Sequence, residues 1–173
     1  MKKNKPEVSI WHKSDFPEIK KLALQTWFNA YGSFLNRADI QNYHKTQYSD
    51  RNLKQYYEKY IGLVCKIDDK IVGYSVADAK YKDKYFHIIS LYVNPEFQKQ
   101  GCGKHLLQSC VNIAEKKGFK VIQLGVFIKN TKTIDWYIAQ GFTFDKKEDF
   151  IIGNSKVDLL IGKASVAISK TLH

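Results

Sequence analysis

The sequence predicts one domain of the α+β or α/β class, in which helices flank a mixed β-sheet. Its 173 residues fit a single domain spanning 1–173. Apolar residues recur with helical spacing in some segments and with strand spacing in others. These segments follow the order strand, two helical regions, three strands, then helix, strand, helix and two strands. Meandering strands followed by a strand–helix–strand unit indicate a mixed sheet with its ligand site at a strand end.

The charge and cysteine content argue against several classes of protein, including nucleic-acid-binding, membrane-spanning and disulfide-stabilised ones. Lys and Arg number 28 against 17 Asp and Glu, a net charge of +11, but the basic residues are scattered among acidic ones, so we expect a solvated surface rather than a nucleic-acid site. No apolar run approaches the ~18–20 residues of a membrane span, and no secretory signal is visible. Cys65, Cys102 and Cys110 form no C-x-x-C pair, so we expect no disulfide framework, no metal site and a cytoplasmic location.

The first sixty residues predict one strand and two helical regions. Residues 7–12 alternate as a strand does. Ser14 or Asp15 is expected to cap the first helix, whose apolar residues recur from Ile19 to Ala30. A second helical region covers about 37–60, with a break near 49–50 where Asp50 is expected to cap the second piece.

The remainder predicts strands at 63–67, 71–76, 85–93 and 121–128. A tight turn at 68–70 joins the first two. An amphipathic helix follows Gly103 and ends at Gly118, and a second helix over 130–140 is closed by Gly141. From 142 to about 164 we expect two antiparallel strands, joined through either 146–149 or 153–154.

The most informative segment, residues 93–104, lies between a strand and a helix. Gly101 and Gly103 allow a tight turn and a close approach of a ligand to the backbone. The following helix N-terminus favours a phosphate, and Lys99 and Lys104 add positive charge. The spacing matches neither a P-loop nor a dinucleotide-binding fingerprint. From spacing alone, a simple tight turn is an equal alternative.

Two motifs resemble those of the GNAT N-acetyltransferases. The first is Gln98-x-x-Gly101-x-Gly103, which follows a strand ending Leu91-Tyr92-Val93-x-Pro95. The second is Asn130-x-x-x-Ile134-x-Trp136-Tyr137-x-x-x-Gly141-Phe142. Segments 103–107, 124–126 and 157–160 look most similar to the bacterial polyamine (spermidine/spermine) N-acetyltransferases. The resemblance implies a mostly antiparallel twisted sheet that binds acyl-CoA where its central strands splay apart.

The resemblance also implies a role for each motif. The backbone of Leu91, Tyr92 and Val93 would pair with the pantetheine arm of acetyl-CoA and polarise the thioester. The pyrophosphate would lie on the loop formed by Gln98, Lys99, Gln100, Gly101, Cys102, Gly103 and Lys104. Asn130 would contact the pantetheine amide, and Tyr137 would be the general acid for the leaving thiolate. The alternative for Tyr137 is a structural role, in which its ring packs on a helix face. Cys102 is either a reactive thiol at the helix N-terminus or a small residue that simply fits in the loop.

The general base departs from the family pattern. Many relatives carry a glutamate where this sequence has Ile89. His87, two residues earlier on the same strand, is one candidate base, although a core histidine is the more common outcome. Glu148 or Asp149 acting through water is another.

Three functions therefore stay open at this stage. They are an acetyl-CoA-dependent N-acetyltransferase without a metal, an acyl-CoA-binding module with little catalysis, and a nucleic-acid-associated protein. The acceptor is a polyamine, another small amine or a peptide amine, and the resemblance allows a homodimer. The positive net charge and the lack of an acidic cluster weaken the polyamine assignment.

Overall fold

The computed structural model describes residues 5–79 and 84–167 as a seven-stranded sheet with helices on both faces. The strands are β1 (Glu7–Ile10), β2 (Ile61–Ile67), β3 (Lys70–Asp78), β4 (Tyr85–Val93), β5 (Val121–Phe127), β6 (Thr143–Ile152) and β7 (Ser155–Ser165). The helices are α1 (Phe16–Tyr31), α2 (Arg37–Gln47), α3 (Asp50–Lys59), α4 (Cys102–Lys116) and α5 (Thr131–Ala139). Within these ranges, no helix has the length and hydropathy that a transmembrane segment requires.

The strand order is β1-β2-β3-β4-β5-β7-β6. Every neighbouring pair is antiparallel except β4 and β5, which are joined through α4 and run parallel. The predicted mixed, mostly antiparallel sheet is therefore confirmed.

One local prediction needs correction, and the structure decides one alternative that the sequence left open. Ser49, and not Asp50, caps α3, because the Ser49 side chain accepts a hydrogen bond from the Asn52 amide. The last hairpin turns at 153–154 rather than at 146–149, and Gly153 has a φ of 56° there. Residues 146–149 look like a turn because they are charged, but they belong to the exposed edge strand β6, where charge protects against edge pairing.

Each face of the sheet has its own apolar cluster. The buried face of α4, which includes Leu106, Leu107 and Val111, packs with strand residues such as Phe86 and Ile122. On the opposite face, α1 and α3 pack over Val64, Tyr74 and Val76 through the buried side chains Ile19, Leu22, Ala23 and Leu53. The helical spacing of the apolar residues in α1 and α4 accounts for this layering.

The two central parallel strands separate part-way along their length. Tyr85–Ile88 of β4 pairs with Val121–Leu124 of β5, and no further pairs join these two strands. Beyond that point β4 stays paired with β3, and β5 stays paired with β7. A bulge falls at the same place, because Ile88 and Ser90 lie opposite adjacent residues of β3 and leave Ile89 unpaired. A cleft thus opens at the carboxyl ends of the parallel strands.

Candidate active site

The cleft between β4 and β5 is lined by four parts of the chain. Its lining residues are Thr26, Asn29, Ala30 and Tyr31 of α1; Ile88, Ile89, Ser90, Leu91, Tyr92 and Val93 of β4, followed by Gln98; Leu124, Gly125 and Val126 of β5; and Asn130, Thr133 and Tyr137 at α5. Both motifs identified in the sequence therefore contribute to one cavity.

The β4 side of the cleft offers backbone groups to a ligand. Leu91, Tyr92 and Val93 pair with β3 on one edge, while their other edge faces the cleft rather than β5. An extended chain entering the cleft can pair with that edge as an added strand does. Gln98 lies at the end of the same edge, where its side chain Nε2 is 3.4 Å from the Val93 carbonyl oxygen.

The loop after Gln98 leads into the first turn of α4 and lies outside the cleft lining. It turns through two left-handed residues, Lys99 with a φ of 59° and Gly101 with a φ of 90°. A Cβ atom on Gly103 would lie 3.5 Å from the Trp136 ring and 3.7 Å from Val93 Cγ2, which places the start of α4 beside the cleft. The first N–H groups of a helix have no partner within the helix, so an anion can bind there.

The Cys102 side chain does not belong to this anion-binding surface. It is buried, and its thiol lies 3.6 Å from the Phe97 carbonyl oxygen. Burial raises the pKa of the Cys102 thiol, so the thiolate is disfavoured despite the helix N-terminus. Of the two interpretations of Cys102, the small residue that fits is the one that the structure supports, and only its backbone can face a ligand.

Tyr137 is buried where α5 meets the cleft, with 4% of its surface exposed. Its ring packs against Trp136 and Phe142, at centroid distances of 4.8 and 5.2 Å. Burial raises the pKa of Tyr137 above its ordinary value. The phenol is therefore protonated at neutral pH, whatever role it has.

A pair of tyrosines crosses the cleft from α1 to β4. The Tyr31 and Tyr92 hydroxyl oxygens are 3.1 Å apart, and the Asn130 side chain interacts with the Tyr31 hydroxyl. Burial raises the pKa of Tyr31 to about 12 and that of Tyr92 well above its usual value. Asn130 is at the start of α5, where its side chain makes no capping hydrogen bond and lines the cleft instead.

The candidate bases lie elsewhere. His87 is in the paired part of β4, opposite Asp78 of β3 and Gln123 of β5, and is not among the cleft-lining residues. Glu148 and Asp149 are on the exposed strand β6, in ion pairs of 2.7 and 2.9 Å with lysines. The Lys156 ammonium lowers the pKa of Asp149, which makes it a weaker base. Ile89 does line the cleft, at the position where the family resemblance expects the base.

Neither sequence motif marks the contribution of α1 to the cleft. Thr26, Asn29, Ala30 and Tyr31 of this helix all line it. A signal was present in the sequence, because Thr26 and Asn29 put two polar side chains, three residues apart, beside the apolar stripe of α1. Trp27 and Phe34 pack in the apolar cluster under this end of the sheet.

Comparison with known proteins agrees with this architecture. The Acetyltransferase (GNAT) family profile matches residues 16–142. A solved structure of the PaiA N-acetyltransferase from Thermoplasma acidophilum in complex with coenzyme A superposes with a TM-score of 0.82, at 19% identity, over 92% of this chain and 98% of that one.

Two curated relatives are more similar in sequence. An uncharacterized N-acetyltransferase of Methanocaldococcus jannaschii is 25% identical over 69% of this chain and 54% of its own length. A ribosomal protein bS18-alanine N-acetyltransferase of Salmonella typhimurium is 26% identical over 49% of this chain and 56% of its own length. The chain thus spans little more than half the length of these relatives, and they give no support to the polyamine-specific resemblance.

The sheet splays between two parallel strands, and a glycine turn and a helix N-terminus lie beside the opening. This arrangement is the GNAT fold. Since the family profile covers most of the chain, the protein belongs to the Acetyltransferase (GNAT) family.

Proposed function

We propose that this protein is an acetyl-CoA-dependent N-acetyltransferase that acetylates a primary amine by direct attack, with Tyr137 as general acid. The observation that carries the proposal is the cleft at the β4–β5 divergence, which brings Tyr137, Asn130 and the unpaired edge of Leu91–Val93 into one cavity. Family membership and the coenzyme A bound to the Thermoplasma protein support it.

Acetyl-CoA would lie along the β4 edge of the cleft, which would leave the α1 side of the lining for the acceptor. The pantetheine arm would pair with the backbone at Leu91, Tyr92 and Val93, and the Asn130 side chain would bond its amide. The pyrophosphate would meet the N–H groups of the loop from Gln98 to the first turn of α4. A β4 N–H aimed at the thioester oxygen would stabilise the charge that develops there, an effect typically worth about 10²–10³ in rate.

The transfer would form an amide bond, break the thioester bond, and move one proton from the amine to water and one from Tyr137 to the sulfur. The amine nitrogen attacks the thioester carbon, the tetrahedral intermediate expels the sulfur, and the thiolate takes a proton from the Tyr137 hydroxyl. The attacking nitrogen releases its proton to water, which later reprotonates the phenolate. Direct attack needs no covalent enzyme intermediate, which agrees with the buried thiol of Cys102.

Burial raises the pKa of Tyr137, so the phenol keeps its proton until a strong base forms beside it. Its role as general acid would therefore depend on a hydrogen bond to the sulfur as the thiolate is expelled, and not on a low pKa of its own.

The acceptor class has three candidates, a peptide amine, a small amine and a polyamine. The bS18-alanine N-acetyltransferase among the relatives favours the peptide amine, while nothing in the cleft lining favours a polycation.

A second function, acyl-CoA binding with little catalysis, is favoured by one observation: Ile89 occupies the position where the resemblance expects a base.

The test is thiol release from acetyl-CoA by the purified protein with spermidine, small amines, amino acids and short peptides as acceptors. We expect Tyr137→Phe to lower turnover by about 10²-fold while acetyl-CoA still binds, since proton transfer by a side chain contributes typically 10²–10⁴-fold. His87→Ala, which alters a residue outside the cleft, should stay within about threefold of wild type. Full activity of Tyr137→Phe would refute the acid, and tight acetyl-CoA binding without turnover would favour the binding module.

A further inference from the structure

We infer that the acceptor is a primary amine of low pKa, which enters the cleft uncharged at neutral pH, and that the cleft rejects amines that arrive as cations. This inference rests on the proposed function and names its substrate class.

The first observation is the chemistry of the cleft wall. None of the described residues that line it carries a carboxylate or an imidazole. Its titratable side chains are Tyr31 from α1, Tyr92 from β4 and Tyr137 from α5, and β5 contributes none. Burial raises the pKa of all three phenols, so they are neutral at physiological pH. The described lining therefore carries no negative charge for an ammonium and no carboxylate or imidazole that could deprotonate one.

The second observation is the side chain at the divergence of the strands. Ile89 lines the cleft where β4 bulges away from β5, and 39% of its surface is exposed. An ammonium placed beside this apolar side chain would lose water without gaining a partner, which is unfavourable. A neutral amine loses much less.

The third observation is the charge near the residues that follow α1. Arg37, at the start of α2, lies 4.5 Å from the Phe28 ring centre, and Lys129, which precedes the lining residue Asn130, lies 5.7 Å from that of Phe34.

The neighbouring carboxylates are already engaged. Asp39 accepts hydrogen bonds from Ser155 Oγ at 2.7 Å and from the Asn154 amide at 3.3 Å. Asp158 is in a 2.9 Å ion pair with Lys147. These two carboxylates are therefore already bound to other groups and are not free to pair with an incoming ammonium.

The size of the resulting preference follows from the acceptor's own ionisation. At pH 7.5 about a third of an α-amine with a pKa of about 7.8 is uncharged, against about 0.1% of an alkylamine with a pKa of about 10.4. The difference in reactive fraction is roughly 250-fold. The lower intrinsic nucleophilicity of the weaker base offsets part of this difference, so the measured preference should be smaller than roughly 250-fold but should still favour the weaker base.

The experiment uses amines of nearly constant size and graded pKa: ethylamine and its mono-, di- and trifluoro derivatives. Spermidine is added as a polycation, and alanine amide as an α-amine. We expect kcat/KM, per total amine, to be highest for members whose pKa lies near the assay pH. We also expect each profile between pH 6 and 9 to follow the titration of the amine itself.

Variants at two isoleucines sharpen the test. Ile89→Glu places a carboxylate in the cleft and should raise the activity with ethylamine, relative to the difluoro derivative, by about tenfold. Ile128→Glu is the matched control, because Ile128 is 38% exposed and lies outside the lining. That variant should leave the ratio unchanged.

Two outcomes would overturn the inference, and they differ from failure of the proposed function. One is a preference for ethylamine or spermidine at pH 7. The other is a single pKa shared by the profiles of all amines, which would reveal a base on the enzyme. No transfer to any amine, with acetyl-CoA bound, would instead contradict the proposed function and the acceptor class together.

Discussion

Gly101 offers a sharp test of the loop beside the cleft, because it begins α4 in a left-handed conformation with a φ of 90°. Alanine in that conformation costs about 1–2 kcal/mol. The added Cβ would lie 3.4 Å from His105 Nδ1, a side-chain atom that can move aside, so backbone strain is the main effect. If the loop relieves the strain by adopting another conformation, a smaller fraction of the protein molecules can bind the pyrophosphate. The acetyl-CoA Kd should then rise about 5–30-fold.

A matched control lies at the other end of the same helix. Gly118 follows α4 with a φ of 81°, and among the described residues beyond its chain neighbours no atom lies within 4 Å of the position of its missing Cβ. We expect Gly118→Ala to lower Tm by about 2–8 °C, from the same 1–2 kcal/mol, without changing the affinity for acetyl-CoA. The assay is calorimetric titration of acetyl-CoA together with thermal unfolding. If Gly101→Ala keeps the wild-type Kd while losing the same Tm as Gly118→Ala, the turn plays no part in acetyl-CoA binding.

Two further predictions concern stability. Asp39→Ala removes a buried carboxylate that joins α2 to the last hairpin through Ser155, so the free energy of unfolding should fall by about 1–3 kcal/mol in urea denaturation. Asp50→Ala, on an exposed carboxylate paired with Lys20, should change it by less than about 1 kcal/mol, and equal effects would contradict the reasoning. Stability should also decline above pH 9, because burial raises the pKa of Cys110 from 9.0 to about 11 and that of Cys65 from 9.0 to about 12, and the unfolded chain loses these protons first. Thermal unfolding from pH 8 to 11 checks this, and Cys110→Ala should remove part of the decline.

Much of the fold could be predicted because local patterns and tertiary packing agree. β4 was expected at 85–93 and is observed as Tyr85–Val93, since a continuous run of aromatic and β-branched residues suits a central strand. The last hairpin was less certain, because charges at 146–149 mimic a turn while serving an edge strand. The cap of α3 at Ser49 differs from the prediction by one residue, since both Ser49 and Asp50 are good caps.

The candidate site was predictable only where a motif marks it. Gln98, Asn130 and Tyr137 belong to such motifs, and the structure brings all three to one cleft. The wall supplied by α1 has no motif, because it depends on how that helix crosses the sheet. The bulge at Ile89 depends on register with β3, which sequence spacing does not encode.

The central claim is that the β4–β5 cleft holds acetyl-CoA for transfer to an amine, and a crystal structure of the complex with coenzyme A tests it most directly. We expect the pantetheine arm along Leu91–Val93 with its sulfur near the Tyr137 hydroxyl, and the pyrophosphate at the N-terminus of α4. Coenzyme A bound elsewhere, or a pantetheine arm that leaves this edge of β4 unpaired, would contradict the account.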